Sequence, residues 1–148
     1  MKKMFLILTL SLFSCNDSKS DDNFPQDIVF TIINNNALRG SGNEGILQSN
    51  LVINNTDDWQ NLITKMNSIN NNIIDNFSEI DIDFTNYLII AIFLEVKSSD
   101  WSLEIAKITE NESNLVVTTN ENESLASVIT QPFSIVKIRK TEKTIEFE

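Results

Sequence analysis

Histidine is absent from this chain, and every arrangement that needs an imidazole goes with it: Ser-His-Asp and Cys-His nucleophile sites, and zinc centres built on histidine. Cysteine occurs once, at Cys15, so no disulfide can form within the chain. Positive charge is scarce. Eleven Lys and Arg stand against 21 Asp and Glu, a net charge of −10, and such a surface repels nucleic acid and anionic headgroups alike. Neither is an expected partner. The longest apolar run near the N-terminus, Met4 to Phe13, is too short to span a bilayer as a stable helix. Glycine is confined to positions 40, 42 and 45, so the left-handed backbone that glycine favours is concentrated in one place.

What the N-terminus does contain is ordered. Lys2 and Lys3 precede the apolar run, the charged-then-apolar sequence of a secretory signal. The run ends in Leu12-Phe13-Ser14-Cys15, which resembles the lipobox of bacterial lipoproteins. That resemblance implies lipid on Cys15 and cleavage before it, and each buried acyl methylene then contributes about 0.8 kcal/mol of anchoring. Residues 1–14 are thus expected to be a signal peptide, 15–26 the lipidated Cys15 with a flexible acidic tether, and 27–148 a single domain. No apolar residue lies between Asn16 and Asn23, so that stretch can bury nothing. Its Ser20-Asp21-Asp22 step is similar to the acidic signals that send some Gram-negative lipoproteins to the outer face of the outer membrane; a plain acidic linker is the alternative. The membrane, through Cys15, is one expected partner. Loss of Lys2 and Lys3 with the leader takes the net charge to −12.

The chain has 20 Asn and 21 Ile, a bias of AT-rich coding rather than of binding, and the Asn runs at 34–36 and 70–72 are expected to mark loops. A first strand is expected over Ile28–Ile33, rich in β-branched residues, and a second over Ile46–Ile53. Between them Gly40-Ser41-Gly42-Asn43-Glu44-Gly45 spells GxGxxG. That fingerprint places a pyrophosphate at the start of a helix, whereas a strand follows here, so a loop with positive φ is the expected role and no nucleotide is expected. From Thr56 the period changes: Trp59, Leu62, Ile63 and Met66 form one helical stripe. Thr56 is placed to cap it, with Asp57 and Asp58 favoured by the helix dipole. Ile73-Ile74 to Phe77 reads as a loop or a short helical turn.

The second half is rich in strands. The run Leu-Ile-Ile-Ala-Ile-Phe-Leu within Tyr87–Val96 suits a central strand covered on both faces. Trp101, Leu103 and Ile105 alternate with polar residues, Leu115–Thr119 is β-branched, Pro132 opens Phe133–Ile138, and Ile145 and Phe147 alternate in a last, edge strand. The fold class expected is α+β: a small antiparallel sheet of about five to seven strands, with one amphipathic helix packed on it.

Carboxylates are the remaining candidates for chemistry. Glu79, Asp81 and Asp83 would share one face of an extended segment, where they could hold Ca²⁺ or act as an acid/base pair. A solvated strand face is the plainer reading, because the segment lacks the glycine turn and terminal glutamate of a calcium loop. No metal or other cofactor is expected. Against the acidic background Lys137, Arg139, Lys140 and Lys143 cluster. They are candidates for docking an acidic partner, or for guarding a hairpin edge against aggregation. Trp101 reads as core before it reads as a ligand platform.

Ile82-Asp83-Phe84, Trp101-Ser102 and Thr130-Gln131-Pro132-Phe133-Ser134-Ile135-Val136-Lys137-Ile138 resemble the C-terminal domain of the protease complex subunit PrcB, over roughly Phe84 to Phe147. Ser99-Asp100 stands where that family usually has a glycine pair. The resemblance implies an accessory subunit of a secreted protease with no catalytic residues of its own. Two further readings stay open: a stand-alone module that binds peptide or glycan at a strand edge, and a carboxylate hydrolase.

Overall fold

The computed structural model describes residues 23–69 and 72–148; Cys15 and the expected signal and tether up to residue 22, with Asn70 and Asn71, lie outside the described residues. Among the described residues eight strands and one α-helix follow one another as β1 (Gln26–Asp27), β2 (Thr31–Leu38), β3 (Ser49–Ile53), α1 (Thr56–Asn67), β4 (Tyr87–Phe93), β5 (Trp101–Glu110), β6 (Asn114–Glu123), β7 (Gln131–Arg139) and β8 (Thr144–Phe147), with a 3₁₀ turn at Ile73–Asn76. The fold is α+β with its helix packed on a sheet, as expected. The strands form two sheets rather than one, in the orders β2-β7-β4-β3 and β1-β5-β6-β8.

The helix follows from its stripe. Trp59, Leu62, Ile63 and Met66 are all buried, and Asp57 and Asp58 occupy the first turn. The cap is Asn55, one residue before the expected Thr56, with its Oδ1 accepting from the Asp58 N–H at 2.9 Å. Both residue types can cap; asparagine holds the extended Ncap conformation here, and Thr56 becomes the first helical residue. The indole N–H of Trp59 donates to the Ile80 carbonyl at 2.8 Å, so a fully buried aromatic satisfies its one polar atom.

The β4 run explains the layering. Ile89, Ala91 and Phe93 pack in one core with the α1 stripe, while Leu88, Ile90, Ile92 and Leu94 pack in another with Leu103, Ile105, Ile108, Leu115 and Val117. A strand covered by a helix on one face and a sheet on the other has no solvent side, and a continuous apolar run is what that position demands. The molecule is three layers deep: helix, four-stranded sheet, four-stranded sheet.

Three expectations are corrected. Asn34–Asn36 is not a loop but the middle of β2, paired with β7 across a bulge between Ile32 and Asn34. Asn35 Oδ1 accepts from Ser134 Oγ at 2.8 Å, and that hydroxyl in turn accepts from the Ile105 N–H at 3.0 Å. A polar relay between the sheets thus overrides the low strand propensity of asparagine. The pairing is not wholly antiparallel, because β8 leaves the β7 sheet and pairs parallel with β6 at the edge of the other. Finally, β7 is an interior strand between β2 and β4, so its basic residues guard no edge. Among the described residues no helix is long and apolar enough to cross a membrane.

Candidate functional site

The expected basic residues are mostly engaged within the fold. Lys137 lies on the helix side of β7, opposite Ile89, where its ammonium pairs with Glu79 and sits 4.7 Å from the centre of the Tyr87 ring. Lys140 donates to the Phe84 carbonyl at 3.0 Å. Lys143 pairs with Glu110 at 2.9 Å, donates to the Asn111 carbonyl and covers the Phe24 ring. Arg139, the fourth, is exposed at the end of β7. Three of the four side chains therefore also fasten the fold, while Arg139 and Lys140 are exposed and line one recess.

The carboxylates also separate. Residues 79–83 are irregular, not extended strand, so no face aligns them. Glu79 is taken by Lys137. Asp83 closes a turn, accepting from the Asn86 side-chain amide at 2.7 Å and the Thr85 N–H at 3.0 Å, and these hydrogen bonds, the first above all, hold its carboxyl below the usual range. Among the described residues no group of three or more Cys, Asp or Glu side chains is placed to hold a metal ion.

The GxGxxG loop has the expected positive φ, at Gly42 (86°) and Gly45 (67°), with Ser41 also left-handed at 55°. The Gly40 N–H donates to the Glu44 carboxylate at 2.8 Å, so the loop's own buried acid takes an amide that a phosphate-binding loop would offer to a ligand. The strand β3 follows, not a helix.

Two features were not legible in the sequence. The first is the groove beside β3. This strand ends its sheet, so its outer edge is paired with no strand among the described residues. Between that edge and α1 runs a groove of about 520 Å³ lined by Leu47, Leu51, Ile53 and Leu62, with Asp58 and Lys65 along the helix. Leu47 is 81% exposed on it. The floor is held by Gln131, whose buried Nε2 donates to the carbonyls of Ile46 (2.9 Å) and Leu94 (3.0 Å). Alternation of Leu47, Leu51 and Ile53 was visible, but strand order decides which edge is open, and order depends on contacts far apart in the chain.

The second is a cleft of about 420 Å³ between the two sheets, where β2 ends and β5 begins. Trp101 is half-buried there. Its N–H donates to Ser99 Oγ at 2.9 Å, that hydroxyl donates to Glu123 at 2.7 Å, and the Lys97 ammonium stands 4.8 Å from the ring centre. The indole is therefore fixed in place but is not core.

Comparison with known protein families, with curated proteins and with solved structures gave no match to this chain.

Proposed function

We propose that the chain is a lipid-anchored, non-catalytic accessory protein of the cell envelope, carried on the outer membrane through Cys15, that holds a partner polypeptide along the β3 edge. The observation that carries the reading is the open edge itself: unpaired backbone N–H and C=O groups beside an apolar groove are the means by which a sheet takes an extended segment as an added strand. Main-chain hydrogen bonds supply affinity, and the alternate side chains that fall into the groove supply choice. Asp58 and Lys65 set the charge of the occupant: a segment with apolar residues at alternate positions, a basic residue for Asp58 and an acidic one for Lys65. The resemblance to the PrcB subunit makes a secreted protease the expected owner of that segment.

The test is capture of the lipidated protein from its own cells after mild cross-linking, in parallel with a Leu47→Asp form. Leu47 is exposed, so the substitution leaves the fold intact. A secreted protease enriched by the parent and lost from the variant supports the proposal. Equal enrichment by both would move the contact away from β3, and recovery of no protein partner would overturn the reading.

A further inference from the structure

The inter-sheet cleft has a makeup that packing does not require. Leu115 and Val117 of β6 face inward and fill the core. By the register that sets Leu103 opposite Glu121 and Trp101 opposite Glu123, the same face of β6 continues with two acids. The sheets part at that point, and Asn35 and Arg39 approach from the β2 side while Asp100 and Glu123 approach from the other, with Trp101 between them.

We infer that this cleft is a saccharide subsite that takes a neutral sugar ring. The argument is one of matching groups. Each hydroxyl of a sugar both donates and accepts, and adjacent hydroxyls are met in pairs by planar side chains: a guanidinium that donates, carboxylates that accept, an amide that does both. Arg39, Asp100, Glu123 and Asn35 are that set; one oxygen of Asp100 is taken by Ser124, one of Glu123 by Ser99 and the Asn35 carbonyl by Ser134, which leaves the second carboxylate oxygens as acceptors and the Asn35 NH2 as a donor. The C–H face of a sugar ring packs on an aromatic plane, and Trp101 is an indole whose position is already fixed by Ser99, so little freedom is lost on binding. One guanidinium faces two carboxylates in the cleft, a balance that disfavours an anion and offers hydroxyl groups more acceptors than donors. The volume of about 420 Å³ falls within the range of small-molecule sites, about 300–1,000 Å³. This site is separate from the β3 groove and does not depend on it.

The test uses the chain from Asn16 to Glu148, which carries both hydrophobic cores, and follows the two indole N–H signals by NMR during titration with maltotriose, cellotriose and triacetylchitotriose. Trp59 is fully buried in the helix-side core and serves as an internal control. The inference predicts that at least one trisaccharide shifts the Trp101 signal and leaves Trp59 unmoved. Arg39→Met, checked for a native spectrum, is expected to weaken that binding about tenfold, the worth of one charge-assisted hydrogen bond. The inference is overturned if none of the three sugars moves Trp101, or if the shifts map away from the cleft. It is equally overturned if glycine betaine or free lysine moves Trp101 where the sugars do not, since the cleft would then select a charged ligand.

Discussion

Replacing Gln131 by methionine tests how the fold supports the β3 groove. Gln131 is 2% exposed, and its Nε2 donates to two carbonyls, Ile46 and Leu94, that belong to buried residues. Methionine nearly conserves volume, so cavity effects are small. The cost is two buried acceptors left without a donor, at about 1–3 kcal/mol each. Gln131 Oε1 itself has no hydrogen-bond partner, and its removal returns part of that cost, so the expected loss is about 2–3 kcal/mol. Urea unfolding followed by tryptophan fluorescence should show a lower midpoint with an unchanged slope. The Ile46 carbonyl is the tie that holds the segment leading into β3, so amide exchange should quicken at Leu47 and Ser49 before it does in β6. A loss below about 0.5 kcal/mol, or a loss with no local change in exchange at Leu47, would refute this account of the groove.

Four further outcomes follow from the same structure. Trp59→Phe removes both the bond to the Ile80 carbonyl and part of a fully buried ring and should cost about 2–4 kcal/mol in urea unfolding. Gly45→Ala meets no atom within 4 Å but places a side chain at φ +67°, so the loss should be about 1–2 kcal/mol and purely conformational. Lys137→Met strands Glu79 and should destabilise by about 1 kcal/mol, with recovery in the double variant carrying Glu79→Gln and no change in partner capture. Glu110 is held below the usual carboxylate range, first by the hydrogen bond from Lys143, then by Gln26 and by the Lys143 charge. Its folded-state pKa lies below the unfolded one, so its contribution, a few tenths to about 1 kcal/mol, is complete above the ordinary carboxylate pKa. It disappears as pH falls through the lower, folded value; Glu110→Gln should flatten the acid limb of the stability curve measured by thermal unfolding.

Legibility from sequence tracked how local each cause was. The α1 stripe and the β4 run could be read directly, because a helix has period 3.6 and a strand covered on both faces needs apolar residues at every position. Asn34–Asn36 could not, since Ser134, nearly a hundred residues away, supplies the hydroxyl that holds Asn35 in β2. The single antiparallel sheet expected became two, and β8 pairs parallel with β6 instead of with its predecessor β7; nothing in the residues 140–143 announces that switch. The basic cluster looked like a surface because Lys137 and Arg139 alternate along one strand. The engagement of Lys137 depends on Tyr87, which the β4–β7 register brings near, and on Glu79, which follows Ser78 where that residue is bonded to β2. Both the β3 groove and the Trp101 cleft are products of strand order, and strand order is the least local property of a sheet.

The central claim is that β3 receives a partner strand. A photoreactive side chain placed at Leu47, and in a parallel chain at exposed Glu112 in the β5–β6 turn, would test it in living cells. The account predicts one cross-linked polypeptide from position 47, a secreted protease joined through an extended segment, and none from position 112. No cross-linked polypeptide from position 47, or equal yields from the two positions, would contradict it.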